Sequence, residues 1–65
     1  MTYQEARAFF KLKDTDPIHE AGVLSVKASA EKQINVWSLT NRMREELAKE
    51  IEACDALLAA KEEWS

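Results

Sequence analysis

The stretch from Asn41 to Trp64 constrains this chain most. It reads as one amphipathic helix with neither glycine nor proline inside it. Met43, Leu47, Ile51, Cys54 and Leu58 recur at spacings of 4, 4, 3 and 4, with Leu57 beside them. At about 100° per residue these positions form one apolar stripe, and Arg, Lys and Glu occupy the rest of the circumference. A chain of 65 residues has little surface of its own to set against so long a stripe. Folds of this size hide only about 60% of their unfolded surface, and they usually depend on a disulfide, a metal or oligomerisation. Cys54 is the sole cysteine and His19 the sole histidine. An intrachain disulfide is therefore excluded and a structural zinc site is not expected. Partner helices, supplied by a second copy, are the expectation that follows.

The start of the chain carries a capping box. Thr2 and Glu5, in the pattern T-x-x-E, predict a short helix over residues 3–12. Tyr3, Ala6 and Phe10 share one face of it, with Phe9 at the edge. Asp14-Thr15-Asp16-Pro17 then punctuates the sequence. Proline fits the first helical turn, so a second helix is expected from Pro17, capped by Thr15 or Asp16 and favoured by Glu20 near its positive end.

Residues 17–40 support two readings. As a helix, Val23, Val26, Ala30, Ile34 and Trp37 fall on one stripe. As a hairpin, Leu24, Val26, Ala28 and Ala30 alternate with polar residues, and Ile34 to Leu39 returns. The turn of that hairpin would be Ala30-Glu31-Lys32-Gln33, which has none of the residues that tight turns favour and is made of good helix formers. These residues therefore predict a helix. A single rod from Pro17 to Glu63 would place Ile34 about 180° and Trp37 about 120° away from Met43. A break before Asn41 is therefore required, and Ser38, Thr40 and Asn41 are all good caps for the helix beyond it.

The expected fold is all-α, a single small domain over residues 1–65. It has helices over about 3–12, 17–37 and 41–63, a short N-terminal helix plus an antiparallel helical hairpin, packed as a homodimer. The alternative is α+β, helix–β-hairpin–helix. The build resembles that of many small phage and mobile-element proteins, although no motif specifies one of them.

Few residues invite chemistry. His19-Glu20 begins like a zinc helix of the form H-E-x-x-H, but Val23 stands where the second histidine would be. Beside Asp16, His19 reads as a local hydrogen-bonding residue. Cys54, between Ile51 and Leu58, reads as a small core hydrophobe, and an antiparallel crossing of two terminal helices would bring it near its symmetry mate. Glu50 lies by angle inside the Met43–Leu57 seam. It is either a helix-edge residue paired with a neighbour's cation or a device that sets pairing register. Tyr3, Phe9, Phe10, Trp37 and Trp64 read as core anchors, with Trp64 either covering the Tyr3–Phe10 helix or projecting toward a partner. Gly22 is the only glycine, which disfavours a phosphate cradle or an oxyanion-hole loop. No enzymatic activity, cofactor or metal is expected.

The charge balance is 12 acidic against 9 basic residues, a formal net charge of −3. That disfavours nucleic-acid backbones and anionic membranes. Direct nucleic-acid binding through Arg7, Lys11, Lys13 and Arg42 is accordingly a minor reading. On the terminal helix, Glu45 and Lys49 stand at i,i+4, in pairing register. No segment approaches the ~20 apolar residues of a membrane span. The opening Met1–Arg7 is unlike a signal peptide, and with one cysteine this points to the cytosol. The functional expectation is a non-enzymatic protein–protein interaction module, structural or regulatory. It self-associates through its amphipathic C-terminal helix, and Met43, Leu47, Ile51, Cys54, Leu57 and Leu58 are the expected self-association or core seam. The alternative is a small acidic inhibitor, of the kind phages and mobile elements can encode, that binds a basic surface of a nucleic-acid-handling protein through Glu45, Glu46 and Glu52; with Trp64 these residues form the candidate partner face.

Overall fold

A computed structural model describes residues 1–13 and 15–64, so Asp14 of the punctuating run lies outside the described residues. The described chain contains three α-helices, α1 (Tyr3–Phe9), α2 (Glu20–Ile34) and α3 (Asn41–Ala59), followed by a 3₁₀ turn at Lys61–Glu63. No strand occurs among the described residues, which removes the helix–hairpin–helix alternative. The good helix formers at Ala30–Gln33 lie in the last turns of α2.

The capping box starts α1 as its residues require. Thr2 Oγ1 accepts from the Glu5 amide at 3.1 Å, and the Glu5 carboxylate accepts from the Thr2 amide at 2.9 Å. These reciprocal bonds hold the Glu5 carboxyl below the usual carboxylate range, with the Thr2 backbone bond the leading cause. The helix stops at Phe9, three residues short of the expected end. Lys11 adopts φ 58°, the Lys11 amide donates to the Ala8 carbonyl at 3.0 Å, and the Leu12 amide donates to that of Arg7 at 2.9 Å. This is a Schellman closure, with lysine in the left-handed position that glycine normally fills.

α2 also begins late, at Glu20. Neither Thr15 nor Asp16 caps it. The cap residue is His19, whose side chain makes no capping bond, while the Asp16 carboxylate accepts from the Lys13 amide at 2.8 Å. Pro17–His19 stay outside the helix, and in that segment Ile18 packs against the core. α3 begins as expected, with Thr40 Oγ1 accepting from the Met43 amide at 3.2 Å. It ends at Ala59 rather than at 63, and the tighter turn that follows redirects Trp64 onto the core.

α3 is the common packing surface, touched by both α1 and α2. The buried centre comprises Ala6, Val23, Ala53, Cys54 and Leu57, with Tyr3, Phe10, Ile18 and Trp64 packed around it. Ala6 and Ala53 are fully buried and let α1 approach α3 closely. α1 covers only part of its neighbour. Its 7 residues span about 10 Å, whereas the 19 of α3 span about 28 Å. No described helix is long and apolar enough to cross a membrane.

Candidate interaction surface

The apolar stripe of α3 is covered unevenly. Cys54 and Leu57 are buried, and Leu47, Ile51 and Leu58 are half-buried. Met43 is 49% exposed. The gradient follows from the length of α1, which reaches the C-terminal part of the stripe and leaves the N-terminal part to α2 alone. Glu50 is half-buried on this stripe and makes no ion pair among the described residues.

Trp37 departs most from expectation. It is no core anchor: its side chain is 88% exposed, at the corner between α2 and α3. The backbone of that corner is nonetheless held. Arg44 donates one guanidinium nitrogen to the carbonyls of Val36 at 3.3 Å and Trp37 at 3.4 Å. Val36, Leu24 and Phe9 are exposed as well.

At the other end of α2 lies an apolar groove of about 270 Å³, lined by Phe10, Ile18, Val23, Val26, Cys54 and Leu57. Gly22 forms part of its wall, and a Cβ added there would meet only His19 Cβ, at 4.0 Å. Burial pushes the Cys54 thiol above its ordinary range, Glu50 and Asp55 add to the effect, and Lys27 opposes it. A thiol kept protonated in an apolar wall is a poor nucleophile. His19 is exposed at the rim, and no group of three or more His, Cys, Asp or Glu side chains is placed to hold a metal among the described residues.

Arg7 shapes the loop beside this groove. It is 7% exposed and lies over the Tyr3 ring, 5.6 Å from the centroid. It donates to the Tyr3 hydroxyl at 3.0 Å, to the Lys13 carbonyl and to the Asp16 carbonyl at 3.3 Å. One guanidinium thus ties α1 to both ends of the turn that leads to Ile18. The sequence marks Arg7 only as one of several cations. Its position four residues after Tyr3 was the available signal, since i,i+4 neighbours share a helix face. Because the guanidinium is engaged inside the fold, the basic set Arg7, Lys11, Lys13 and Arg42 lacks one of its members at the surface.

Comparison with protein-family models, with curated proteins and with solved structures returns no match. Of the expected acidic face, Glu45, Glu46 and Glu52 are exposed. Glu46 pairs with Arg42 at 3.8 Å and Glu52 with the N-terminal ammonium at 3.0 Å. Among the described residues the i,i+4 ion pair on α3 is therefore Arg42–Glu46 rather than Glu45–Lys49. Trp64 is half-buried, and its indole nitrogen donates to the Leu57 carbonyl at 3.0 Å. The Tyr3 hydroxyl lies 3.5 Å from the Glu63 carbonyl beside it. Trp64 therefore docks on the core next to α1 and offers a partner little of its ring.

Proposed function

We propose that this protein is a non-enzymatic helical interaction module that self-associates, with α2 and α3 forming an antiparallel hairpin and a second copy covering its open side. Two ion pairs support the antiparallel arrangement. Glu20, at the start of α2, pairs with Lys61 beyond the end of α3, and Lys27 pairs with Asp55 at 2.6 Å.

One observation carries the self-association. The chain exposes 4803 Å² of surface. A folded monomer of 7.4 kDa is expected to expose about 4200 Å². The excess of about 600 Å² per chain matches the area each partner contributes to a small stable interface. The shape agrees: the radius of gyration is 12.2 Å, against about 11 Å for a compact chain of this length. The exposed apolar side chains Trp37, Met43, Val36 and Leu24 contribute to the surface a second copy could cover.

Sedimentation equilibrium tests the reading. A dimer at micromolar concentration is the expected result, and a folded monomer up to about 500 µM would refute it. The acidic-inhibitor alternative has weaker support, because Glu46 and Glu52 are already engaged in ion pairs. Salt-sensitive binding to a basic protein, abolished by reversing Glu45, Glu46 and Glu52 to Lys, would favour it instead.

A further inference from the structure

Building on the self-association reading, we infer that Trp37 of each copy seats in the apolar groove at the start of α2 of the other copy, so that the two contacts are related by a two-fold axis.

The groove and the indole are matched in size and chemistry. An apolar cavity of roughly 150 Å³ accepts benzene, and this one, about 270 Å³ and lined by apolar side chains, has room for the larger indole. Trp37 is 88% exposed, the most exposed of the large hydrophobic side chains. The carbonyls of Val36 and Trp37 both accept from Arg44, which restrains the corner that carries the indole and lowers the ordering cost of docking. Large aromatics on rigid backbone that enter a desolvated pocket are the usual energetic centres of interfaces.

The chain cannot make this contact within itself. The groove lies at Gly22 and Val26, near the start of α2, and Trp37 lies beyond its end. The 15 residues of α2 separate them by about 20 Å. Two copies with their α2 helices antiparallel bring each Trp37 to the other's groove, and the contact is self-complementary as a two-fold dimer requires. The stripe that joins groove to corner permits this approach. Gly22, Val26, Ser29 and Gln33 recur at spacings of 4, 3 and 4 on one face of α2, and two of them are small. Met43, near the start of α3, is exposed as well. Each buried tryptophan removes about 150–250 Å² from water, and the stripe between the two contacts adds to the area of a small interface.

The test is sedimentation equilibrium on the full chain from about 1 to about 500 µM, with three samples besides wild type: Trp37→Ala, Gly22→Leu, and an equimolar mixture of the two. Trp37 is exposed, and a side chain at Gly22 has room and raises helix propensity. Both variants should therefore keep the wild-type circular dichroism spectrum. Each alone should weaken the dimer by at least about 30-fold, the effect expected of a hot spot. The mixture should form a heterodimer of intermediate affinity. There the intact tryptophan of the Gly22→Leu chain meets the open groove of the Trp37→Ala chain, restoring one contact of the two. A wild-type dimer that Trp37→Ala leaves within about threefold of its affinity would overturn the contact while leaving self-association standing. A weakened Trp37→Ala dimer with no heterodimer in the mixture would overturn the groove as its receptor. A monomeric wild type throughout the range would overturn both.

Discussion

Removing the Arg7 guanidinium tests the loop clamp directly. In Arg7→Met the aliphatic packing is largely kept and the fork is lost. Three bonds disappear, to the Tyr3 hydroxyl and to the carbonyls of Lys13 and Asp16. A hydrogen bond from a charged donor contributes about 1.5–3 kcal/mol net. Two opposing effects reduce the sum. The carbonyls lie in a surface turn and can rebind water, and deleting a buried cation removes its desolvation cost. A net loss of about 2 kcal/mol remains, against a total stability of about 3–10 kcal/mol for 65 residues. For a domain this small, that lowers Tm by about 8–16 °C. Arg7→Lys should lose at least half as much, because an ammonium cannot bridge both carbonyls in the fork geometry. Urea and thermal unfolding at one fixed protein concentration measure the effect, with concentration held because association contributes to apparent stability. Hydrogen exchange at the Asp16 amide, bonded to the Lys13 carbonyl at 2.9 Å, should accelerate selectively. An Arg7→Met protein within about 0.5 kcal/mol of wild type, with that amide still protected, would refute the clamp.

Other substitutions follow from the same packing. Leu57→Ala removes the largest fully buried side chain and should cost about 3 kcal/mol, read as a lowered urea midpoint. Thr40→Ala removes the acceptor for the Met43 amide and should cost about 1 kcal/mol by the same assay. Burial raises the Cys54 thiol pKa, so the native state holds that proton more tightly than the unfolded chain does. Its contribution to stability is complete below the unfolded thiol pKa of about 8.5 and is lost as pH climbs through the higher native value. Urea midpoints measured across that alkaline range should fall more steeply for wild type than for Cys54→Ala.

Much of the fold was legible in the residues. The Thr2–Glu5 box, the Thr40 cap and the unbroken periodicity after Asn41 are local signals, and each produces its element where it stands. The ambiguous middle segment was also decided locally, since Ala30–Gln33 lacks turn chemistry and favours helix. The ends of the elements were less legible. Lys11 closes α1 in a left-handed conformation with no glycine to announce it, Ile18 packs on the core from an extended segment ahead of α2, and the chain tightens after Ala59 so that Trp64 can dock. At Ile18 and Trp64 packing on the core outweighs a propensity worth less than about 1 kcal/mol per residue, and at Lys11 the two closing hydrogen bonds hold the left-handed residue.

The surface divides along the same line. Periodicity places Met43, Cys54 and Leu58 on one stripe, because a helix repeats every 3.6 residues whatever surrounds it. Which of them is hidden depends on how far α1 reaches, and α1 is about a third the length of α3. Cys54 lies under its neighbours and Met43 lies beyond them. Trp37 shares the helical spacing of Val23 and Ala30 yet projects into solvent, because α2 ends at Ile34 and the corner turns away. Periodicity is a property of the backbone, whereas burial belongs to the assembled set of helices and depends on what else is within reach.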